Sequence, residues 1–260
     1  MAESDVPNPN STLVYFMLAT LCFLFFTLFN IFNSKDTNSI NQAKNNNIIN
    51  FIYILLLVVG SYYINANVSK AMCGSQSVQW NYVMMATLLP WVIIFLTLYF
   101  ILGIFPGWIS PFSNTVGYMF ISILGLEGTL KKIIKTYQDA KPKGDNDLIK
   151  AINNIDNNKA KFVNQINIDQ ANFEQFIKLM QQNQLLKDNL PPADSLVNDE
   201  NILNLYKLLT IKHVIGQVVW YILAGILISS ISYNYIINIS CEKSLEEIKK
   251  DYENTQQENQ

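Results

Sequence analysis

Residues 13–32 read LVYFMLATLCFLFFTLFNIF, twenty residues without one charged side chain. An α-helix needs about 20 apolar residues to cross the hydrocarbon core of a bilayer. Three further uncharged, apolar runs lie at residues 48–64, 83–105 and 214–239. Pro90 falls inside one of them, and membrane helices tolerate an internal proline better than soluble helices do. The sequence therefore predicts an all-α membrane protein with at least four transmembrane helices.

The charge distribution supports the same class. From Thr37 to Leu126 the chain has no Asp or Glu and only two lysines, Lys44 and Lys70. A water-soluble domain does not leave ninety residues so nearly uncharged, because its surface must be hydrated. The net charge of −2 argues against a basic nucleic-acid-binding protein. One His and three Cys leave little material for a zinc site or a disulfide scaffold.

Residues 108–126 are ambiguous. They are apolar enough to span, but Pro111 and the polar residues Ser113, Asn114 and Thr115 interrupt their first half. Three interpretations remain open: a fifth span, a re-entrant segment, or a helix in the membrane interface. A span would place the residues that follow it on the opposite side of the membrane from a re-entrant segment or an interfacial helix.

Lysine distribution favours four spans, because positive residues near span ends prefer the cytoplasmic side. Lysines concentrate in residues 33–47 and 127–213, whereas the polar N-terminal tail, residues 1–12, has none. With four spans and an external N-terminus, both lysine-containing regions are cytoplasmic. The charged C-terminal tail, residues 240–260, is then external, as is the loop at residues 65–82.

The same topology places two of the three cysteines outside. Cys73 and Cys241 are therefore a possible disulfide pair if that side is oxidising, while Cys22 lies within a span. In the last span, Gly225 and Ser229 are four residues apart, a spacing that lets helices approach closely. We interpret this pair as a helix-packing or self-association surface.

Residues 127–213 differ in composition from the membrane region. They hold twelve Lys and eleven acidic residues, with apolar residues at helical spacing, and so predict a small, mostly helical polar region between the last two spans. Lys131, Lys132 and Lys135 line one face of its first helix and are predicted to rest on anionic headgroups. Residues 162–168 alternate apolar and polar residues and suggest a short strand or extended segment.

Two apolar faces of this region are candidates for partner docking. The first carries Ile133 and Tyr137. The second follows Asp169, a helix-capping residue type, and carries Phe173, Phe176 and Ile177. Together the two faces make one predicted surface of five residues. We expect this surface to bind a structural partner.

No arrangement of residues predicts catalysis or a cofactor. His213 is the only His, and no nucleophile, metal motif or phosphate-binding glycine loop accompanies it. The spans contain no ionisable residue of the kind that proton and ion pathways use. We therefore expect neither an enzyme nor a small-molecule binder, and the principal alternative is a transporter or channel subunit of a cellular membrane.

One stretch resembles a known family. Phe105-Pro106-Gly107-Trp108, then Pro111-Phe112-Ser113-Asn114-Thr115, then Gly117-Tyr118 are similar to a segment of the membrane-anchored minor capsid proteins of nucleocytoplasmic large DNA viruses. The order of several spans, a polar middle region with Phe162-Val163-Asn164-Gln165-Ile166-Asn167, and a late span also looks similar.

That resemblance implies a structural virion protein with no catalytic residue. Such a protein is made in a host membrane, sits in the internal membrane of the virion, and ties that membrane to the icosahedral capsid shell. Its partners would be the lipid bilayer and capsid proteins, without nucleic acid. On this interpretation, residues 127–213 dock to the shell.

Overall fold

The computed structural model describes residues 11–73, 78–140, 146–192 and 195–238. Within these ranges the chain is helical and contains no β-strand; one isolated antiparallel bridge joins Ile134 and Leu186. The predicted all-α class is confirmed. Most of the two predicted tails, and with them Cys241, lie outside the described residues.

Besides the short 3-10 turn Leu196–Asn198, eleven helical segments are described, and we number them in chain order. They are α1 Ser11–Asn33, α2 Thr37–Lys44, α3 Asn47–Cys73, α4 Trp80–Ile104, α5 Pro106–Ile123, α6 Leu126–Ile133, α7 Tyr137–Ala140, α8 Asn146–Asn157, α9 Lys159–Gln165, α10 Gln170–Gln182 and α11 Glu200–Ile237.

Four helical stretches are long and apolar enough to cross a membrane. They contain α1, α3, α4 and α11, and the predicted apolar runs coincide with them. The number rises to five if α5 and α6, which meet at 82°, count as one broken span. The prediction of four, possibly five, transmembrane helices is confirmed.

Two helices contain a wider π-helical turn just after a proline. In α4 the turn Trp91–Leu96 follows Pro90, and in α5 the turn Ser113–Gly117 follows Pro111. Proline has no N–H to donate and its ring crowds the carbonyl four residues back, so the regular hydrogen-bond ladder cannot pass through it unchanged. A π turn absorbs this disturbance without ending the helix.

The chain forms two compact units. Unit 1 comprises the described residues of Met1–Leu21, Ile48–Ile104 and Tyr221–Gln260. Its core holds a cluster of aromatic side chains, in which the ring centroids of Phe95 and Tyr221 are 5.1 Å apart and those of Trp91 and Phe95 are 5.3 Å apart. Large apolar side chains cover much of its exterior, as expected for helices that face lipid.

Unit 2 comprises Cys22–Asn47 and Phe105–Trp220. Its core includes Phe173 and Tyr206, whose ring centroids lie 4.6 Å apart. The side chain of Asn41, in α2, donates to the Gln170 side chain at 3.1 Å and accepts from the Tyr206 hydroxyl at 2.8 Å. Contact between residues 33–47 and 127–213 agrees with the four-span topology, which assigns both to the same side.

Two local predictions are wrong. Residues 162–168 are not a strand: α9 continues to Gln165, and only then does the backbone become extended. Phe162 and Ile166 are also four residues apart, so their spacing is equally compatible with a helix.

The first amphipathic helix of this region also ends earlier than its pattern predicts. It stops at Ile133, and Ile134 is extended. The Lys135 N–H donates to the Leu185 carbonyl at 2.9 Å, and the Lys187 N–H donates to the Ile133 carbonyl at 2.9 Å. Pairing with a segment fifty residues away thus replaces the helical hydrogen bonds at this point.

Candidate functional site

Helix α5 runs antiparallel to the middle part of α11, residues 212–220. The Trp220 indole N–H donates to the Trp108 carbonyl at 2.7 Å. Further along, Ser113 lies against Gly216, and Asn114 reaches Lys212. Trp220, Gly216 and Lys212 are four residues apart and therefore share one face of α11.

The backbones of α5 and α11 are in contact at two places, and at each place one of the helices has a glycine. A Cβ atom on Gly216 would lie 2.6 Å from the Ser113 nitrogen and 2.8 Å from its Cα. A Cβ atom on Gly117 would collide with the Lys212 carbonyl oxygen. Both glycines are therefore required by the helix contact, as small residues are at close helix crossings.

Lys212 holds α5 and α11 together at the end of the contact opposite to Trp220. Its side chain is buried, with 4% of the residue exposed, and its ammonium donates to Asn114 Oδ1 and Asn164 Oδ1, each at 2.9 Å. The Asn164 amide also donates to the Asn114 carbonyl at 3.4 Å. One buried lysine thus joins α5, α9 and α11, and its hydrogen bonds offset part of the cost of burying a charge.

The sequence did not reveal the role of Lys212. It is one of twelve lysines in its region, and its two acceptors lie 98 and 48 residues away. One signal was present in the sequence. Lys212 stands directly before the last apolar run, at the point where the last helix is predicted to enter the membrane.

Three of the five residues predicted to form the docking surface are buried and cannot contact a partner. Ile133, Phe173 and Ile177 are 1%, 0% and 1% exposed, because they pack into the core of unit 2. An amphipathic face shows that a helix is covered, but not whether its own chain or a partner covers it. Phe176 is half-buried against the Phe162 ring, at 5.8 Å between centroids, and Tyr137 is 48% exposed.

The predicted membrane-surface lysines also differ from one another. Lys131 and Lys132 are exposed, and Lys131 pairs with Glu127 at 2.9 Å. Lys135 is not available to a membrane surface, since its side chain is 1% exposed and its ammonium pairs with Asp188 at 2.6 Å. The extended backbone at Ile134 turns Lys135 away from the helix face that it was predicted to share.

The residues predicted for helix packing lie inside unit 1. A Cβ atom on Gly225 would collide with the Phe16 ring, and Ser229 is buried. Their contacts are with the chain's own helices, which supports the packing interpretation and gives no evidence of self-association. Cys73 is disulfide-bonded and Cys22 is a free thiol, while pairing between Cys73 and Cys241 stays a prediction.

Unit 2 also contains a cleft of about 320 Å³ between α6, α7 and α8. Its apolar wall consists of Leu130, Ile134, Ile152 and Ile155, and Tyr137 stands at its edge. Its charged lining consists of Lys131, Lys135, Lys159, Lys187 and one carboxylate, Asp156. We call this feature the lysine cleft.

Most of these lysines are held in place by ion pairs. Lys159 lies 2.9 Å from Asp156 and 3.6 Å from Glu127. The hydrogen bond with Asp156 is the main cause that raises the pKa of Lys159 above its ordinary value, so this ammonium stays charged across the physiological range. The lysine cleft is therefore an apolar depression whose rim consists mainly of ion pairs.

No group of three His, Cys, Asp or Glu residues placed to hold a metal ion occurs in the part of the chain that the structure describes. Comparisons of this chain with protein-family models, with characterised proteins and with solved structures find no match.

Proposed function

We propose that this chain is a structural virion protein that sits in the internal membrane of a large DNA virus and tethers that membrane to the capsid shell. The apolar helices anchor it in the bilayer. The folded part of residues 127–213, together with residues 33–47, supplies the surface that the shell would contact.

The observation that carries this proposal is the continuity of α11. This single helix of 38 residues contributes its first part, up to Trp220, to unit 2 and its remainder to unit 1. A tether needs a chain segment that belongs both to a protein contact and to a membrane anchor, and α11 passes from one unit to the other without a break in the helix.

The packing of α5 adds to this support. The residues that resemble minor capsid proteins include Ser113, Asn114 and Gly117, and these are the residues that fit α5 against α11. Helix α5 is thereby fastened to residues 212–220 of α11, within unit 2. The resembling residues would therefore have a structural role in the proposed tether.

The proposal is tested by extraction of purified virus particles. The particles are treated with a mild detergent that removes lipid, the protein shell is pelleted, and the chain is quantified in both fractions. We expect it to pellet in a fixed ratio to the major shell protein. Complete release with the lipid, under conditions in which the shell remains intact, would exclude a tether.

A second candidate, a channel or transporter subunit, has one observation in its favour. Unit 1 buries the hydroxyls of Ser61, Ser69, Ser229 and Ser232, and none of them has a hydrogen-bond partner within the described residues. Buried polar groups of this kind often bind water. Flux of K⁺, Na⁺ or Cl⁻ through liposomes that contain the pure chain, above that of empty liposomes, would favour this function.

A further inference from the structure

We propose that the exposed face of α5 contacts the acyl chains of a single bilayer leaflet, the one on the side of residues 33–47. The N-terminal end of α5 reaches the middle of the bilayer and its C-terminal end lies at the membrane surface, so α5 alone does not cross the membrane. The partner is lipid whether or not the chain belongs to a virion.

One face of α5 is covered by the chain and the other is not. Ser113 and Gly117 are buried against α11. The uncovered face carries four apolar side chains, spaced eight, three and four residues apart and between 38% and 79% exposed: Trp108, Val116, Met119 and Ile123. No residue of α5 is charged. A helix of this kind needs a nonpolar environment on its outer face.

Two exposed hydroxyl groups of α5 are also suited to a nonpolar environment. The Thr115 hydroxyl donates to the Pro111 carbonyl at 2.6 Å, and the Ser122 hydroxyl donates to the Tyr118 carbonyl at 2.9 Å. In hydrocarbon a polar group must find its partner within the protein, because no water is present. Since these hydroxyls bond to their own helix, they can face lipid without an unsatisfied donor.

The end of the first span gives the level of the membrane surface on unit 2. Phe32 is the last residue of the apolar run 13–32 and is 44% exposed. The Lys207 ammonium donates to the Phe32 carbonyl at 2.8 Å. An ammonium group is favourable among lipid headgroups, where it meets phosphates and water. The membrane surface on this side therefore lies near the level of Lys207.

Contacts with α11 then give the depth of α5. Gly117 lies against Lys212, and farther from the surface the Trp108 carbonyl accepts from Trp220. Trp220 is thirteen residues beyond Lys207, a distance of about 20 Å along a helix. A bilayer with its headgroups is about 40–45 Å thick. The Trp108 end of α5 therefore reaches the middle of the bilayer and goes no farther.

The chain leaves the membrane directly after α5. Ile123 is fifteen residues past the deep end, about 22 Å along the helix, which brings it back to the surface. Helices α5 and α6 meet at 82°, at Gly125 with its φ of +96°, a conformation that glycine adopts readily. In α6, Thr129 accepts from the Asn204 amide at 2.9 Å. Asn204 precedes Lys207 in α11, so α6 lies outside the membrane.

The test is site-directed spin labelling of the full chain in phosphatidylcholine vesicles. Nitroxide labels are attached through Trp108→Cys, Met119→Cys or Ile123→Cys, each in a Cys22→Ser chain. Power saturation with O₂, which concentrates in hydrocarbon, and with a water-soluble nickel complex gives the depth of each label. The controls are Phe25→Cys, at a position of α1 that is 75% exposed to lipid, and Lys178→Cys, at an exposed position of α10.

We expect the label depth to increase steadily from position 123 through position 119 to position 108. The total difference should be about 22 Å, since each residue adds about 1.5 Å along the helix. Positions 119 and 108 should resemble the α1 control in their preference for O₂. Circular dichroism shows whether each labelled chain keeps its helices, and Val116→Cys, on the same face, replaces any that does not.

Three results would overturn the inference. Equal depth at all three positions would show that α5 lies flat in the interface. Greatest depth at position 119, with the nickel complex reaching both 108 and 123, would show that α5 crosses the membrane. Exposure of all three positions to the nickel complex, as at position 178, would show that this face meets water and is open to a protein.

Discussion

Unit 1 and unit 2 bury polar side chains in different ways. In unit 1 the partners are neutral: Thr12 donates to Asn65 at 3.3 Å, and the Asn65 amide donates to Thr87 at 2.8 Å. In unit 2 a buried lysine ammonium, Lys212, joins two asparagines. A charge within hydrocarbon is costly, whereas a charge near water can be retained if it is hydrogen-bonded. In both units the buried polar groups are thus satisfied by hydrogen bonds, with neutral partners in unit 1 and a charged one in unit 2.

The two halves of α11 provide the sharpest form of this comparison. Gly216 in unit 2 faces the backbone of α5, whereas Gly225 in unit 1 faces the end of the Phe16 ring. A ring can tilt, but a helix backbone cannot retreat without losing its other contacts. The same substitution should therefore have unequal effects at the two glycines.

We expect Gly216→Ala to lower the free energy of unfolding by about 2 kcal/mol or more, because overpacking outweighs the gain of about 1 kcal/mol in helix propensity. Gly225→Ala should have a smaller effect, since the end of a side chain shifts more readily than a helix backbone, although Phe16 is fully buried. Tryptophan fluorescence during unfolding in mixed micelles measures both. A larger loss at Gly225 would show that the buried ring resists displacement more than the α5 backbone does.

The next effect concerns the lysine network. Asn164→Leu removes one acceptor from the Lys212 ammonium and should cost about 2 kcal/mol, since the buried charge then keeps only Asn114 as a partner. In a Lys212→Met background the same substitution should cost less than about 1 kcal/mol. A double-mutant cycle in mixed micelles gives the coupling. Equal costs in both backgrounds would show that Asn164 does not stabilise the lysine.

The neutral network of unit 1 should contribute less. Asn65→Leu removes the hydrogen bonds to Thr12 and Thr87, and we expect a loss of about 0.6 to 1 kcal/mol, as is usual for polar contacts between membrane helices. The same unfolding measurement applies. A cost greater than that of Asn164→Leu would contradict the ranking of the two units.

The smallest effect lies at α7, beside the lysine cleft. The backbone N–H and the hydroxyl of Thr136 both donate to Asp139 at 2.8 Å, and these hydrogen bonds hold the pKa of Asp139 below its usual range. Since the folded pKa is lower than the unfolded value, this stabilisation is complete above the unfolded pKa and is lost as pH falls through the folded one.

A spin label attached through Gln138→Cys should therefore become more mobile as pH falls below about 3.8, the ordinary pKa of Asp. With Asp139→Asn added, we expect the label to be mobile already at neutral pH and insensitive to acid. Electron paramagnetic resonance reports both. An unchanged acid transition in the Asp139→Asn chain would assign the effect to another carboxyl group.

The membrane part of the fold could be predicted because it depends on local composition. Uncharged runs about twenty residues long allow few alternatives, and the lysines at residues 33–47 and 127–213 indicated that these regions lie together. The contacts from Asn41 to Gln170 and Tyr206 agree with that grouping.

The details of unit 2 could not be predicted because distant residues decide them. Ile134 leaves the helical pattern in order to pair with Leu186, and no local signal marks that exchange. Phe173 and Ile177 have the periodicity of a covered face, but only the tertiary structure shows that the chain covers them itself. The lysine cleft lies between the consecutive helices α6, α7 and α8, and only Lys187 joins it from a distant part of the chain.

The central claim is that residues 33–47 and 127–213 form one body on a single side of the membrane, opposite to the loop at residues 65–82. It is tested with Lys35→Cys, Lys178→Cys and Lys70→Cys, each made in a Cys22→Ser chain in sealed, oriented vesicles and treated with a membrane-impermeant maleimide. All three lysines are exposed. We predict that positions 35 and 178 are labelled from the same side and position 70 from the other. Labelling of position 178 together with position 70 would mean that α5 crosses the membrane, and would contradict the account.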